Sequence, residues 1–370
     1  MARAAARAKT VYACAECGHL SPKWLGQCPA CRKWNTLHEE VQAVEPRGAT
    51  PRGWGPGAAS RPVPLRDVEA SDEARLRTGI GELDRVLGGG IVPGALMLLG
   101  GDPGIGKSTL LLAALDRVAT LSPDRPVLYV SGEESARQVK LRADRLRVAA
   151  PNLQVLAETD ATKVIAVAET LRPAALAVDS IQTQYLPELP SAPGTVTQIR
   201  EVAARLMAYA KTSETPTFLV GHVTKDGAIA GPRVLEHMVD TVLYFEGGGA
   251  HPYRVLRAHK NRFGSASEIG VFEMRAGGLA EVPNPSALFL AERPEDAPGS
   301  AVAAVLNGTR TVLVEVQALV APTGYGTARR TALGLDGNRV ALLAAVLEKK
   351  VGMEIPVSYT HLTLPTICSV

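Results

Sequence analysis

The sequence predicts an α/β protein in which helices cover both faces of a mostly parallel sheet, preceded by a small metal-binding module. Short apolar runs alternate with amphipathic segments over most of the chain, as strands and helices do in βαβ units. A complete phosphate-binding loop joins one of these runs to the helical segment after it. Four of the five cysteines lie within the first 31 residues, at spacings typical of a metal site.

Composition limits the classes of protein to which the chain can belong. Its 370 residues suffice for two or three domains. Hydrophobic residues make up 46% and aromatic residues 4% of the chain, so the core must consist mainly of Leu, Val, Ile and Ala. No apolar run in the sequence approaches the roughly 20 residues that span a bilayer, and no apolar segment follows the basic N-terminus. We therefore expect a cytoplasmic protein without a membrane partner.

Charge is distributed unevenly along the chain. Residues 1–66 contain ten Lys and Arg residues against four Asp and Glu residues, whereas the whole chain has a net charge of +3. The rest of the chain is therefore slightly acidic. A basic N-terminal region is consistent either with a polyanionic partner or with an ordinary solvated surface.

Changes in composition divide the chain into five segments. The cysteines define a module over residues 10–36, and a stretch rich in Pro, Gly and Arg predicts a linker over 37–64. Strand–helix alternation predicts a large α/β domain over 65–282 and a second α/β domain over 283–356. Residues 357–370 carry no charged side chain and show no clear period, so they are assigned to no domain.

Hydrophobic periodicity places the individual elements. In the large domain, the predicted strands are 95–99, 127–130, 175–178, 217–221 and 253–258, and the predicted helices are 107–118, 134–147, 162–171 and 196–210. In the second domain, strands are predicted over 301–306 and 311–320 and a helix over 339–350.

The cysteine cluster contains two CxxC pairs, Cys14 with Cys17 and Cys28 with Cys31. Two such turns bring four thiolates together, which suits tetrahedral Zn²⁺, and a site with four protein ligands has a structural role. Disulfides and a rubredoxin-like iron site are the alternatives. A reducing cytosol disfavours the disulfides.

Two tryptophans of the same module allow two interpretations. Trp24 and Trp34 lie close in sequence to Lys23, Arg32 and Lys33. Together these residues could form a surface for nucleic acid. Alternatively, the indoles cover a small zinc module, which is the more common role of such residues.

The phosphate-binding loop matches G-x-x-x-x-G-K-[ST] throughout. Its residues are Gly101, Asp102, Pro103, Gly104, Ile105, Gly106, Lys107 and Ser108. The glycines let backbone N–H groups point at phosphate oxygens, and the helix N-terminus adds partial positive charge. We expect Lys107 to reach the terminal phosphates and the Ser108 hydroxyl to bind Mg²⁺, with Thr109 as a secondary nucleotide contact.

Three acidic residues follow apolar strands and are candidates for the chemistry. Asp179 ends the run ALAVD, some seventy residues after the phosphate loop, where a carboxylate can hold Mg²⁺ beside Ser108. Glu133 and Glu134 follow the strand 127–130. One of them can orient the attacking water, although both also suit a helix N-terminus. Glu133 is the preferred candidate and Glu134 the reserve.

Five motifs then occur in a characteristic order: the four-cysteine module, GDPGIGKST, SGEES, DSIQT and KNRFG at Lys260–Gly264. This combination resembles the RadA (Sms) family of RecA-like P-loop ATPases, from about residue 10 to about residue 355, and KNRFG is that family's signature. The resemblance implies a RecA-like P-loop ATPase core with an N-terminal four-cysteine zinc module. It also implies a partial Lon-protease-like C-terminal α/β domain without proteolytic activity.

The resemblance further implies a DNA-dependent ATPase of recombinational DNA repair and the stress response. Such proteins form hexameric rings that use ATP, Mg²⁺ and Zn²⁺, bind single-stranded and branched DNA, promote branch migration and work with the RecA recombinase. Two rival classes share some motifs. A KaiC-like signalling ring lacks the leading cysteine module and KNRFG, and an ATP-dependent protease needs a Ser–Lys dyad in a Gly-rich, acidic turn that the sequence does not contain.

The resemblance also assigns roles to residues that the sequence alone would leave as loops. Lys260 and Arg262 match positions that reach across to a neighbouring subunit's phosphates. His222 matches a γ-phosphate sensor at the end of a strand. Lys225 and Arg233, in a Gly-rich loop, match a DNA-facing segment. Read from the residues alone, 260–264 is a solvated basic turn.

Overall fold

The fold is described from a computed structural model. It covers residues 8–14, 19–43, 64, 75–222, 234–247, 252–290, 298–322, 330–352 and 358–363. The chain divides into two compact units, Met1–Glu281 and Val282–Val370. Among the helices of these ranges, none is long and apolar enough to cross a lipid bilayer.

The N-terminal module is a small antiparallel sheet. Its strands are β1 (Ala8–Cys14), β2 (Leu20–Ser21) and β3 (Leu37–Ala43), in the order β2-β1-β3. Cys14 pairs with Leu37 and Ala8 with Ala43. Strand β3 therefore occupies residues that composition assigned to the linker, because the Pro- and Gly-rich stretch begins only at Glu45.

One sheet contains nine of the described strands. These are β4 (Leu96–Gly101), β5 (Val127–Ser131), β6 (Leu153–Ala157), β7 (Leu176–Asp179), β8 (Thr217–Val220), β9 (Thr241–Gly247), β10 (Tyr253–Asn261), β11 (Ile269–Arg275) and β12 (Gly278–Glu281). Their order is β12-β11-β10-β9-β4-β8-β7-β5-β6. Strands β9, β4, β8, β7, β5 and β6 run parallel, and β10 to β12 extend this edge as an antiparallel meander. The predicted α/β class with a mostly parallel sheet is confirmed.

One helix precedes β4, and one follows each of the strands β4 to β8. They are α1 (Gly81–Val86), α2 (Lys107–Leu121), α3 (Ala136–Arg145), α4 (Ala161–Leu171), α5 (Val196–Ser213) and α6 (Val234–Met238). The third helix begins two residues later than the sequence pattern predicts. Ser135 caps it, and Gln138 completes a capping box by accepting from the Ser135 backbone N–H. Glu133 and Glu134 therefore lie in the turn before α3.

Alternate residues of the buried strands face opposite sides of the sheet. Leu96 and Leu98 pack with residues of α4 and α5, whereas Met97 and Leu99 pack with residues of α1 and α2. Strands buried on both faces are apolar throughout, which is why short continuous apolar runs predicted them. The two clusters fix the strand ends from which the loops of the candidate site emerge.

The second unit is a smaller α/β arrangement. It contains α7 (Pro285–Phe289), β13 (Ser300–Asn307), β14 (Arg310–Pro322), β15 (Arg330–Leu333), α8 (Gly337–Val351) and β16 (Ser358–Thr363). The strand order is β13-β14-β16-β15. Strand β16 pairs antiparallel with β14 and parallel with β15. Part of the segment 357–370, which the sequence pattern left unassigned, thus lies within this sheet.

Candidate nucleotide site and metal centre

The phosphate-binding loop connects β4 to α2 through two glycines that no other residue could replace without strain. Gly101 has φ 152° and Gly106 has φ 114°. A Cβ at Gly101 would lie 2.5 Å from the carbonyl oxygen of Phe245, and one at Gly106 would lie 2.8 Å from Met274 Cε. The backbone can take this course past Phe245 and Met274 because the chain carries no side chain at these two points.

The N-terminus of α2 is suited to bind an anion. Gly106 occupies the N-cap and supplies no side-chain hydrogen bond, and the first turn contains no acidic residue. The first N–H groups of a helix have no partner within it and carry partial positive charge. Ser108 and Thr109 lie half-buried in this turn. These features fit the phosphates of a nucleotide.

Lys107 is held inside the loop. Its side chain is 4% exposed, and Nζ donates hydrogen bonds to the carbonyl oxygens of Gly101 at 2.7 Å and Asp102 at 2.8 Å. Burial lowers the pKa of Lys107, while the negative charges of Asp179, Asp102 and Glu133 oppose that shift. Carbonyl oxygens are weak substitutes for phosphate oxygens, so this ammonium group suits an anionic ligand.

Asp179 stands at the end of β7, half-buried, and is fixed by a buried tyrosine. The hydroxyl of Tyr129, two residues before the end of β5, donates to Asp179 Oδ2 at 2.5 Å. Burial, reinforced by the charge of Asp179, raises the pKa of Tyr129, so the phenol keeps its proton and remains a donor. The second carboxylate oxygen is left to other ligands, as a Mg²⁺ site would require.

Glu133 and His222 come together from loops after different strands. Ser180 Oγ donates to Glu133 Oε1 at 2.6 Å, and His222 Nε2 lies 3.3 Å from the same oxygen. Burial by itself would raise the pKa of Glu133. The hydrogen bonds from Ser180 and His222, with the nearby charge of Lys107, outweigh burial and lower it. The carboxylate is thus ionised and able to accept a proton or orient water.

His222 also links Glu133 to the phosphate-binding loop. Its Nδ1 lies 3.4 Å from Lys107 Nζ. An ammonium group can only donate, so Nδ1 acts as the acceptor in this contact, and Nε2 faces Glu133. Lysine, imidazole and carboxylate therefore form one continuous chain.

Glu134 has different surroundings. Its backbone N–H donates to Ser131 Oγ at 3.0 Å, and its carboxylate forms an ion pair with Arg142 of α3. The same arginine lowers the pKa of Tyr129, although burial and Asp179 have larger effects. The neighbouring glutamates thus have separate partners: Glu133 contacts the candidate catalytic groups, and Glu134 contacts α3.

A glycine makes the approach of these loops possible. Gly132 N–H donates to the carbonyl oxygen of Asp179 at 2.8 Å. A Cβ at Gly132 would lie 2.0 Å from Thr183 Oγ1 and 2.9 Å from Thr183 Cβ. The glycine of SGEES therefore lets the Glu133 turn pack against the turn that follows Asp179.

Lys260 lies at the opposite end of the sheet, where it closes a helix. Its Nζ donates to the carbonyl oxygens of Glu236 at 2.8 Å, His237 at 3.3 Å and Val239 at 2.7 Å. A cation at the C-terminus of α6 satisfies carbonyl groups that have no partner within the helix. Burial and then the charge of Arg262 lower the pKa of Lys260.

Arg262 is exposed beside a buried ion pair. Its side chain is 57% exposed, and Nη1 lies 3.4 Å from Asp240 Oδ1. Lys211 at 2.5 Å and the backbone N–H of Leu96 at 3.0 Å bind the other carboxylate oxygen of Asp240, Oδ2. Because its contact with Oδ1 is long and its side chain is mostly exposed, Arg262 is weakly held within its own chain.

Strand register separates the two ends. Asn261 pairs with Thr241, and Thr241 pairs with Met97, whereas the phosphate-binding loop begins at Gly101. Four residues of strand correspond to about 13 Å. Arg262, one residue beyond Asn261, is thus too far from Lys107 to share a ligand with it in the same chain.

The described cysteines form a compact cluster. The Sγ atoms of Cys14, Cys28 and Cys31 all lie within 4.8 Å of one another. Those of Cys14 and Cys31 are 3.7 Å apart, far beyond the ~2.05 Å of a disulfide. Tetrahedral zinc with Zn–S distances near 2.3 Å places its sulfurs about 3.8 Å apart, so the cluster fits such an ion. Cys17 lies outside the described residues, as do Lys225 and Arg233.

Sequence reasoning missed several groups that complete these sites. They are Tyr129, Arg142, Ser180, Lys211 and Asp240. Each acts through a contact between segments distant in sequence, apart from Arg142 with Glu134. The single signal in the sequence was a tyrosine within an otherwise aliphatic strand, VLYV.

Comparisons with known proteins agree with this arrangement. Residues 12–39 match the model described as "Rubredoxin metal binding domain", and residues 59–228 match "AAA domain". The chain is 53% identical over 349 residues to DNA repair protein RadA of Bacillus subtilis, covering 94% of this chain and 76% of that protein. RadA of Listeria monocytogenes is 53% identical over 351 residues, covering 95% and 76%. The chain belongs to the RadA family of DNA repair proteins.

Proposed function

We propose that this chain is a DNA-dependent ATPase of recombinational DNA repair. It would bind single-stranded DNA and act as an ATP-driven motor that promotes branch migration of recombination intermediates. The family gives the DNA context. The observation that carries the ATPase assignment is the continuous chain from Lys107 through His222 to Glu133.

Nucleotide binding is assigned to the loop and the first turn of α2. Backbone N–H groups of residues 104–109 and the Lys107 ammonium group bind the phosphates of ATP. Ser108 and Asp179 hold Mg²⁺, which when bound neutralises charge on the phosphates. Tyr129 keeps the Asp179 carboxylate in one orientation.

Glu133 is assigned the orientation of the attacking water. Its ionised carboxylate lies in the turn beside the phosphate-binding loop, and Ser180 and His222 fix its position. Positioning accounts for most of the catalysis in phosphoryl transfer. Glu134 is engaged with Arg142 and has no such role.

His222 is assigned the sensing of the γ-phosphate. When Lys107 binds phosphate oxygens, its contact with His222 Nδ1 would weaken. The imidazole would then keep its contact with Glu133 or turn towards the γ-phosphate. The Gly-rich segment of the sequence that contains Lys225 and Arg233 begins directly after His222. Its basic side chains would bind DNA phosphates without reading sequence.

Arg262 is assigned a role in trans, which requires a ring. It is exposed, weakly held and far from its own phosphate-binding loop. An arginine from a neighbouring subunit can neutralise charge in the transition state. We infer a homo-oligomer, with a hexamer as the expected form, that acts in the cytoplasm with RecA recombinase. Zn²⁺ on the four cysteines stabilises the N-terminal module.

The test is the rate of ATP hydrolysis with and without single-stranded DNA, at low and moderate salt. We expect stimulation by DNA that weakens as salt rises, because phosphate contacts release counterions. A rate indifferent to DNA at both salt concentrations would overturn the motor assignment and favour a KaiC-like signalling ring.

A further inference from the structure

Two tryptophans of the N-terminal module are unusually exposed. Trp24 is 55% exposed and Trp34 is 69% exposed, although tryptophan is on average a highly buried residue. The apolar centre of the module consists instead of Cys14, Cys28 and Leu37. Neither indole belongs to this centre, and the exposure of both favours the first interpretation from the sequence, a surface for nucleic acid.

A short hairpin brings both indoles to one place. Gln27 and Trp34 form an antiparallel bridge, and the Asn35 N–H donates to the carbonyl oxygen of Gly26 at 2.8 Å. A Cβ on Gly26 would lie 3.7 Å from Trp34 Cζ3 and 3.8 Å from Trp24 Cη2. Because Gly26 has no side chain, the space bordered by the two rings stays open. We call these three residues, Trp24, Gly26 and Trp34, the aromatic platform.

Three basic residues lie near the aromatic platform in the sequence. Residues 19–38 contain Lys23, Arg32 and Lys33 and no Asp or Glu, and all three basic residues are exposed. The Arg32 N–H donates to the carbonyl oxygen of Cys28, and the Cys28 N–H to that of Lys33. The turn that contains Cys28 and Cys31 thus fixes the backbone positions of Arg32 and Lys33.

We propose that the aromatic platform is a second contact for single-stranded DNA, where unpaired bases stack on Trp24 and Trp34 and the three basic side chains bind phosphates. Exposed aromatic rings beside cations are how proteins hold single strands without sequence preference. The cations favour a polyanion over an apolar protein surface. The proposal rests on the proposed action on DNA, but it requires neither ATP nor a ring.

The experiment measures intrinsic tryptophan fluorescence of the full chain without nucleotide. The chain contains three tryptophans, so a Trp54→Phe background leaves emission from Trp24 and Trp34. The probes are a 20-nucleotide oligothymidylate and an abasic strand with the same number of phosphates. We expect the oligothymidylate to quench the emission and to bind at least tenfold more tightly than the abasic strand, since stacking is worth roughly tenfold or more per base.

Variants separate stacking from folding and from the motor. Because no tryptophan remains in the substituted variants, their binding is measured by the fluorescence anisotropy of a dye-labelled oligothymidylate, with the parent chain measured in the same way. Trp24→Ala with Trp34→Ala is expected to weaken oligothymidylate binding at least tenfold, with unchanged metal content. The matching pair of Trp→Tyr substitutions is expected to restore most of it. Lys225→Ala with Arg233→Ala removes the other proposed DNA contacts, and quenching should persist in that variant. In the parent chain, hydrolysis that DNA does not stimulate, together with quenching by DNA, would count against the motor alone.

Two results would overturn the proposal. One is equal quenching by the abasic strand, which would show that charge alone accounts for binding. The other is oligothymidylate affinity within twofold of the parent for the double alanine variant. That result would favour a contact between the exposed indoles and another protein.

Discussion

The charged groups at the two ends of the large sheet differ in how many partners they have within the chain. At the carboxyl end of the parallel strands, Lys107, His222 and Glu133 contact one another within one chain. At the amino end, Lys260 is bound to three carbonyl oxygens and Arg262 points to solvent with one weak partner. Both ends were found through motifs, but only the first forms a site by itself.

This difference shows that a shared motif does not imply a shared role. Lys260 and Arg262 are two residues apart in KNRFG, yet one closes helix α6 and the other is available to another molecule. We therefore expect substitutions at Lys260 to affect stability and those at Arg262 to affect turnover. Substitutions of the carboxyl-end residues should affect turnover at the nucleotide site of the same subunit.

Lys107→Ala should have the largest effect, a loss of hydrolysis on the order of 10³-fold or more, because phosphate charge is then left without its ammonium partner. Binding of a fluorescent ATP analogue should weaken too. Metal content of the N-terminal module should stay unchanged, since the cysteine cluster belongs to a separate sheet. Near-normal hydrolysis would remove the nucleotide site from this end of the sheet.

Arg262→Ala should lower turnover on the order of 10³-fold while ATP binding is retained, because the arginine acts only on a neighbour's transition state. Mixing this variant with Lys107→Ala provides the sharper measurement. Each variant supplies what the other lacks, so mixed rings should recover activity that neither shows alone. An additive rate in the mixture would show that Arg262 does not act between subunits.

Glu133→Gln should reduce turnover roughly 10²-fold with unchanged ATP affinity, since an amide keeps the shape but cannot hold water as a carboxylate does. Glu134→Gln is the matched control, because it alters the adjacent residue and only weakens the pair with Arg142. A larger loss for Glu134→Gln than for Glu133→Gln would reverse the assignment.

Lys260→Ala should lower the free energy of unfolding by about 1 kcal/mol, because three carbonyl oxygens lose a charged donor and water replaces it only in part. Thermal denaturation should show a shift of about 2–4 °C. Arg262→Ala should leave the midpoint unchanged, which provides the internal comparison. Equal midpoints for the two variants would contradict the structural role of Lys260.

The sequence predicted the parallel strands and the phosphate-binding loop but not the partners of the site residues, and the reason is physical. The parallel strands and the phosphate-binding loop are local patterns, because buried strands are apolar runs and glycines mark the loop. The Glu133–Ser180 and Tyr129–Asp179 contacts join residues 47 and 50 positions apart. They depend on strand register, and nothing local encodes them. The partners of Lys260 are backbone carbonyls, which no sequence pattern identifies.

Tyr129→Phe should have the smallest effect, and it concerns the carboxyl end alone. Removal of the hydroxyl frees the Asp179 carboxylate to rotate while the ring still fills the core. A hydrogen bond to a carboxylate is worth about 1.5–3 kcal/mol, part of which water restores. We expect the Mg²⁺ concentration for half-maximal hydrolysis to rise roughly three- to tenfold, with little change in rate at saturating Mg²⁺.

Tyr209→Phe is the matched control for this change. Tyr209 of α5 is also buried, and its hydroxyl donates to the carbonyl oxygen of Ala168 at 3.3 Å, away from the candidate site. It should lower stability slightly and leave the Mg²⁺ dependence unaltered. If both variants shift the Mg²⁺ requirement equally, the effect reflects general loosening of the core. If only Tyr129→Phe shifts the Mg²⁺ requirement, the tyrosine positions the Asp179 carboxylate. The proposed Mg²⁺ ligand and the hydroxyl that orients it then both lie at the carboxyl end of the same chain.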